Sequence, residues 1–206
     1  LLSTANHWQI TLLDQTSLET KEIFARALVN ATGPWINQVL ESLNLKSQQR
    51  VRLVKGSHIV VKKLYSGNQA YILQNPDGRI VFVIPYQKDF SLIGTTDVDY
   101  AGELSNIVIS PNEVVYLCHT VNQYFNHEIK PNDVIWDYAG LRAVEQDAEE
   151  DPKSASRAYH IELIHEDLSP LLNIFGGKLT TYRRLSQQAV DSLQYNFPHC
   201  KKSKTK

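Results

Sequence analysis

The stretch NIFGGKLTTYRRL, residues 173–185, raises the question of whether its central turn binds another group. A strand-like apolar run breaks at Gly176 and Gly177, and a helix-like run follows at once. The first N–H groups of a helix lack backbone acceptors and the helix dipole adds positive potential, so such a turn suits a phosphate, a carboxylate or an anionic ring. The side chains that add donors are Lys178, Thr180 and Thr181. The alternative is that the two glycines serve only the geometry of a strand-to-helix turn.

A similar turn lies near the other end of the chain, in VNATGPW, residues 29–35. Ala31, Thr32 and Gly33 are small residues at the carboxyl end of a predicted strand, where open α/β sheets bind ligands. Pro34 fits the first turn of a helix, because its missing N–H costs nothing there. Tight packing of the strand against the helix would require the same small residues, so this pattern leaves both interpretations open.

The segment between the two turns has a different character. The runs VRLVKGSHIVV, QAYILQ, RIVFVIP and FSLIGTT predict a mostly antiparallel sheet, and NPDG predicts a hairpin turn between the second and third runs. The run SPNEVVYLCHTVNQYF predicts a helix that covers this sheet, with Ser110 and Glu113 at the spacing of a capping box.

The flanking segments alternate strands with helices. Strands are predicted in HWQITLLD (7–14), IFARALVNATG (23–33), DVIWDYAGLRAV (133–144), RAYHIELI (157–164) and LLNIFGG (171–177). The helix after the last strand is expected to present one apolar face, formed by Leu179, Tyr182, Leu185, Ala189 and Leu193.

This order predicts an α/β fold with an α+β insertion, in which one domain is interrupted by another. We predict a first domain formed by residues 1–50 and 141–195, an inserted antiparallel sheet with its covering helix at 51–140, and a flexible tail at 196–206.

Composition excludes several classes of protein. The 206 residues carry 21 Lys and Arg against 22 Asp and Glu, which gives no electrostatic case for binding nucleic acid. No run of about 18 apolar residues occurs, and neither the two cysteines nor the acidic loop EQDAEEDPKS has the spacing of metal ligands. We therefore expect no metal site and a reduced cytosolic setting. The absence of methionine and the start at Leu1 predict a fragment of a longer chain.

Three cationic side chains are candidates for recognition of a substrate. Arg142 lies in the apolar context YAGLRAV, where a guanidinium needs a partner because an unpaired buried charge is costly. That partner is either a substrate or an acidic neighbour in a structural ion pair. Arg157 in SASRAY is a candidate for the site or for the surface, and His58 in KGSHIVV is a general base, a hydrogen-bond donor or a structural histidine.

Taken together, these stretches resemble the FAD-dependent glycerol-3-phosphate dehydrogenases of the respiratory type. The segments VNATGPWIN, VRLVKGSHIVV, YILQN, RIVFVIPY, IGTTDVDY, DYAGLR and FGGKLTTYR occur in the order of that family. The resemblance implies a fold like that of D-amino-acid oxidase: a Rossmann-type FAD-binding domain interrupted by an antiparallel substrate-binding sheet.

The resemblance also implies roles for single residues. Arg142 matches the arginine that holds the substrate, and Lys178, Arg157 and His58 match positions close to the substrate. Residues expected along the FAD are Ala31, Thr32, Gly33, Trp35, Gly176, Gly177, Lys178, Leu179 and Thr180. Glycerol 3-phosphate carries a charge near -2, so a cluster of cations and backbone donors suits it.

The implied activity is the oxidation of sn-glycerol 3-phosphate to dihydroxyacetone phosphate by hydride transfer to FAD, with electrons passed to a quinone. A cytoplasmic, peripherally membrane-associated protein and a homodimer are implied as well. The alternatives are another flavoprotein of this fold that oxidises an amine or a hydroxy acid, and a non-catalytic module. Two departures from the family stand out: Ala143 replaces its usual proline, and the Gly-x-Gly-x-x-Gly fingerprint is absent from the sequence. We therefore expect this fragment alone to be inactive.

Overall fold

The structure is a computed structural model that describes residues 2–3, 7–146, 159–165 and 169–199. Three sequence-based predictions lie outside these residues: Arg157, most of the acidic loop and most of the tail. The chain divides into two compact units, the first formed by Leu1–Arg52 and Ala143–Lys206 and the second by Leu53–Arg142. These divisions lie within about two residues of the predicted boundaries at 50/51 and 140/141.

The elements are numbered in chain order over the described residues. The strands are β1 (Leu2–Ser3), β2 (Trp8–Leu13), β3 (Thr20–Ala25), β4 (Leu28–Asn30), β5 (Arg50–Lys62), β6 (Tyr71–Gln74), β7 (Ile80–Tyr86), β8 (Phe90–Gly94), β9 (Val98–Asp99), β10 (Trp136–Gln146), β11 (Tyr159–Ile164) and β12 (Leu171–Gly176). The α-helices are α1 (Ile36–Ser42), α2 (Pro111–Asn122) and α3 (Tyr182–Ser192). The 3-10 turns are Gly33–Trp35, Pro131–Asp133, Leu179–Thr181 and Gln194–Asn196.

The first unit contains two sheets. Strands β1, β2 and β3 form an antiparallel sheet, and β11, β12 and β4 form a mixed sheet in which β12 and β4 are parallel. Leu172 and Ile174 of β12 pack against Ala189 of α3, which places the helix on this second sheet. Trp8 is fully buried, and its indole N–H donates to the Pro170 carbonyl at 3.0 Å, so the two sheets are tied together within the unit.

The second unit is a sheet covered by a helix. The strand order is β10-β5-β8-β7-β6, with β9 also paired to β5, and the pairs β6/β7, β7/β8 and β5/β8 are antiparallel. Ile59, Val83 and Ile93 on one face pack with Leu117 and Val121 of α2, all of them buried. The predicted antiparallel sheet, its hairpin at residues 75–79 and the covering helix with its capping box are confirmed.

Two predictions in the first unit are wrong. The run 23–33 is not one strand: β3 ends at Ala25 because it pairs with β2, whereas β4 begins at Leu28 and pairs with β12. The apolar face of the last helix does not include Leu179 or Tyr182, which are 88% and 65% exposed. Leu179 precedes α3 in a 3-10 turn, so its direction does not follow the helical repeat.

Among the described residues there is no helix with the length and apolar character needed to span a bilayer.

Candidate functional site

The two glycine turns of the first unit lie at the ends of neighbouring parallel strands. Asn30 of β4 is paired with Asn173 of β12, and Gly33 and Gly176 each follow their asparagine by three positions. Both turns therefore emerge at the carboxyl edge of one sheet. Gly33, Gly176 and Gly177 have φ values of 58°, 69° and 101°, a region that side chains with a Cβ rarely adopt.

A buried polar network supports the two turns from below. The Asn30 amide donates to Asn173 Oδ1 at 3.0 Å and to the Ile36 carbonyl at 3.3 Å, and Thr32 Oγ1 donates to Asn30 Oδ1 at 2.7 Å. The Asn173 amide donates in turn to Glu162 at 3.1 Å. Because Asn30 and Asn173 are 2% and 0% exposed, these bonds fix the end of β4 to the middle of β12. Sequence reasoning missed this pair, because a single asparagine within an apolar strand does not show its partner.

The surface above the network is open and partly apolar. The expected cofactor-contacting residues Ala31, Thr32, Trp35, Gly177, Lys178, Leu179 and Thr180 are exposed, while Gly33 and Gly176 are partly buried. A Cβ added at Gly33 would have no neighbour within 4 Å among the described residues, so space is open beside this turn. Exposed Leu179 and Trp35 are large apolar side chains that a flat ring could cover. The edge therefore suits a planar, partly anionic group such as a flavin.

One expected donor is already used. Thr181 Oγ1 donates to the Lys178 carbonyl at 2.8 Å, so this hydroxyl proton serves the turn and not a ligand.

In the second unit, Arg142 is held against the loop that follows β8. Its Nη2 donates to Thr95 Oγ1 at 3.2 Å and to the Thr96 carbonyl at 3.1 Å, and its Nη1 lies 3.3 Å from Asp97 Oδ1. The expectation that an apolar context buries this guanidinium is wrong: the side chain is 43% exposed, and none of residues 136–144 of β10 is buried. The acidic neighbour of the structural interpretation is present, but Asp97 is 52% exposed, and an exposed pair adds little stability.

His58 lies beside this arginine and is uncharged at neutral pH. Burial, and then the positive charge of Arg142, lower the pKa of His58 below its usual value of 6.5. Its ring stacks on Tyr138 with 4.8 Å between centroids and 6° between planes. Nδ1 is buried, and no described residue forms a hydrogen bond with it. A neutral imidazole can accept a proton, although the buried Nδ1 is not the nitrogen that a substrate could reach.

Two glycines make room for these side chains. A Cβ at Gly56 would lie 2.5 Å from both Arg142 Nη2 and Thr95 Oγ1, and a Cβ at Gly94 would lie 2.1 Å from His58 Cδ2. These separations are far below van der Waals contact, so only glycine at the two positions permits the observed placement of Arg142 and His58.

The loop that binds Arg142 is connected to the covering helix through Glu113. This carboxylate is 5% exposed and accepts hydrogen bonds from Ser57, Thr96 and Ser110 in addition to an ion pair with Lys55 at 2.8 Å. Burial by itself would raise the pKa of Glu113, but the Lys55 contact and the hydrogen bonds of Ser110 and Ser57 outweigh it and lower the pKa to about 2. Sequence reasoning found Glu113 only as part of a capping box.

The predicted site residues thus fall into two groups. The strand edge of the first unit carries residues 31–35 and 176–180, the second range including Lys178. The edge of the second unit carries Arg142 and His58. Arg157 lies outside the described residues.

Comparison with known proteins identifies relatives of this chain. The family model described as FAD dependent oxidoreductase (DAO) matches residues 3–180. The aerobic glycerol-3-phosphate dehydrogenase of Escherichia coli (strain K12) is 46% identical over 171 residues, which cover 82% of this chain and 34% of that protein. The D-erythritol 1-phosphate dehydrogenase of Brucella abortus (strain 2308) is 38% identical over 192 residues, which cover 93% and 38%.

A solved structure agrees with this relationship. The crystal structure of the glycerol-3-phosphate dehydrogenase from Bacillus halodurans, complexed with FAD, superimposes with a TM-score of 0.80 at 27% identity and covers 96% of this chain and 38% of that one. The chain therefore spans little more than a third of the length of the relatives it matches.

Proposed function

The chain belongs to the FAD dependent oxidoreductase family, and from this membership we propose that the whole protein oxidises sn-glycerol 3-phosphate to dihydroxyacetone phosphate. The relatives named glycerol-3-phosphate dehydrogenase support this substrate. The predicted fold, a Rossmann-type FAD-binding domain of the D-amino-acid-oxidase kind with an inserted antiparallel sheet, is the fold of this family.

We assign the first unit to the cofactor. Ala31, Thr32, Gly33 and Trp35 on one turn, with Gly176, Gly177, Lys178, Leu179 and Thr180 on the other, are the residues that would hold FAD. Bound FAD supplies an acceptor for the hydride that leaves C2 of the substrate. The residues of this edge contribute close backbone approach at the glycines, donors toward an anionic ring edge and apolar cover from Leu179 and Trp35.

We assign Arg142 and His58 of the second unit to the substrate, and the family resemblance alone adds Lys178 and Arg157. Arg142 binds and orients the phosphate ester with its planar pair of donors, because two of its N–H groups are already fixed by Thr95 and Thr96. His58, held neutral beside it, accepts the proton of the C2 hydroxyl or hydrogen-bonds to that oxygen. The observation that carries the proposal is this juxtaposition of a guanidinium anchored by Thr95 and Thr96 with an imidazole whose pKa is lowered by burial and by Arg142.

Further parts of the proposal rest on the family resemblance alone. They are a quinone as the electron acceptor, peripheral membrane contact from the cytoplasmic side through parts mostly outside this chain, and a homodimer.

A second substrate of the same class has specific support. The relative named D-erythritol 1-phosphate dehydrogenase is 38% identical over 93% of this chain. Both candidates are polyol phosphates, so the phosphate-binding role of Arg142 is common to them. The two substrates differ in their carbon skeletons, because only D-erythritol 1-phosphate extends beyond C3.

Steady-state reduction of an electron-accepting dye by the full-length, FAD-loaded protein tests the proposal. We expect the highest kcat/KM with sn-glycerol 3-phosphate, a lower value with D-erythritol 1-phosphate and no turnover of a D-amino acid or a 2-hydroxy acid. Turnover of a carboxylate substrate without any response to the phosphates would contradict the proposed function and favour another oxidase of this fold.

A further inference from the structure

We propose that Glu113 is a positioning residue for Arg142 and His58: its buried carboxylate joins the helix α2 to the two backbone segments that hold these side chains. The inference rests on the proposed function only for the substrate used in its kinetic test.

The two oxygens of Glu113 serve different neighbours. Oε2 accepts from the Ser110 backbone N–H at 2.9 Å and from Ser110 Oγ at 2.7 Å, and it lies 2.8 Å from Lys55 Nζ. Oε1 accepts from Ser57 Oγ at 2.7 Å and from Thr96 Oγ1 at 2.8 Å. A capping box requires only the contact to Ser110. The bonds made by Oε1 therefore have no role in the helix cap.

Both partners of Oε1 lie next to the site. Ser57 stands between Gly56, which faces Arg142, and His58. Thr96 provides the carbonyl that accepts from Arg142 Nη2 at 3.1 Å, and its neighbour Thr95 provides the hydroxyl that accepts at 3.2 Å. The Ser57 backbone N–H also donates to Thr96 Oγ1 at 2.9 Å. Glu113, Ser57 and Thr96 thus form a closed triangle of hydrogen bonds behind the arginine.

The triangle is buried and its charge is balanced. Ser57 and Thr96 are fully buried, Glu113 is 5% exposed and Lys55 is 8% exposed. Lys55 Nζ donates further to the Val108 carbonyl at 3.0 Å, so both charges are compensated. Such a network stays rigid while it is complete, and a missing hydroxyl leaves a buried donor or acceptor unsatisfied.

Clearance on the Gly56 side of Arg142 is small. The guanidinium lies against Gly56, where even one added carbon would be 2.5 Å away. A shift of the segment that carries Thr96 displaces both acceptors of Arg142 Nη2. Displacements of this size at a binding group change substrate affinity and turnover by large factors.

The test compares three variants of the full-length, FAD-loaded protein. Thr96→Val keeps the shape of the side chain and removes both hydrogen bonds of Oγ1, whereas Thr96→Ser keeps the hydroxyl. Ser110→Ala is the matched control, because it weakens the cap of α2 through Oε2 and leaves the Oε1 bonds in place. The measurements are kcat and KM for sn-glycerol 3-phosphate, FAD content, Tm and the crystal structure of Thr96→Val.

We expect Thr96→Val to raise KM about five- to twentyfold with unchanged FAD content, because two buried hydrogen bonds of the network are lost. The KM of Thr96→Ser should stay within about twofold of the KM of the unchanged protein. Ser110→Ala should lower Tm while leaving KM unchanged. If Thr96→Val lowers Tm as Ser110→Ala does and leaves KM unchanged, Glu113 is only a helix cap and the inference is wrong.

The crystal structure separates failure of this inference from failure of the proposed function. If the unchanged protein does not oxidise sn-glycerol 3-phosphate, the proposed function fails. The position of Arg142 in the crystal structure of Thr96→Val still shows whether Glu113 is a positioning residue. A guanidinium displaced from its Thr95 and Thr96 contacts supports the positioning role. A guanidinium that keeps both contacts overturns it.

Discussion

At the scale of the single residue, Arg142 gives the most direct test of the substrate site. Lysine at this position keeps the charge but lacks the planar fork that bonds Thr95 and Thr96 and leaves donors for a phosphate. We expect Arg142→Lys to lower kcat/KM of the full-length protein ten- to a hundredfold, or about 1.5–3 kcal/mol, with unchanged FAD content. The alternative, a structural ion pair with Asp97, predicts a lower Tm with near-normal kinetics. Asp97→Asn, which breaks only that pair, is the control.

Gly56 provides a second prediction at this scale. A methyl group there would lie 2.5 Å from Arg142 Nη2, so Gly56→Ala should displace the guanidinium. We expect a rise in KM of at least about tenfold, since misplacement of a binding group by about 1 Å costs rate and affinity. Gly140→Ala adds the same methyl group to β10 with no atom within 4 Å and is the matched control. Equal KM values in the two variants would show that Arg142 does not need this clearance.

The sequence made Arg142 and His58 candidates for the site but did not indicate the glycines that admit them. A basic side chain near an aromatic or apolar run stands out by its type. The need for glycine at positions 56 and 94 arises only from the side chain that lies across from each, and that depends on strand pairing such as His58 with Gly94.

At the scale of the element, periodicity and turn chemistry predicted most strands and helices. These two signals could not predict the break between β3 and β4, because the residues on both sides have the same apolar character. The break follows from two different partners, β2 and β12. The buried pair Asn30 and Asn173 was missed for the same reason: two positions far apart in the chain meet only when β4 and β12 are aligned.

Helix α2 makes the protein sensitive to acid through Glu113. Its pKa of about 2 lies below the ordinary value of 4.5, so ionised Glu113 stabilises the fold above pH 4.5, and this contribution is lost as the pH falls toward 2. The full contribution is at most about 3 kcal/mol. Glu113→Gln should therefore be less stable than the unchanged chain at pH 7, and the difference should shrink between pH 4.5 and pH 2. Urea denaturation of both chains across this range measures it, and a constant difference would contradict the assignment.

At the scale of the whole molecule, the order of elements predicted an interrupted domain. The two compact units divide at 52/53 and 142/143, close to the predicted boundaries, because the change from alternating strands and helices to antiparallel strands is a property of long segments. Errors of one residue do not affect such a pattern. The role of each unit rests on the family and remains a proposal.

The pattern of glycines in the chain gives the last prediction. A dinucleotide's pyrophosphate binds at a first strand-to-helix turn with the pattern Gly-x-Gly-x-x-Gly, which does not occur in these 206 residues. The edge formed by Gly33 and Gly176 can contact only part of FAD. We therefore expect the isolated chain to bind FAD weakly, to lose it on dialysis and to show no dehydrogenase activity, while the full-length protein keeps stoichiometric flavin. Visible absorbance measures the flavin content of the two proteins, and FAD titration measures their affinity for FAD.

The weak FAD binding expected of the isolated chain can be used to test where the cofactor lies. Leu179→Glu places a negative charge beside the glycine turn and should weaken FAD binding further, through repulsion and loss of apolar cover. Tyr195→Glu, equally exposed at 88% but beyond α3, should leave it unchanged and is the control. Both substitutions are on the surface, so neither should alter stability by more than about 0.5 kcal/mol. Tight, stoichiometric flavin in the isolated chain, or equal titration curves for the two variants, would contradict the assignment of this edge to FAD.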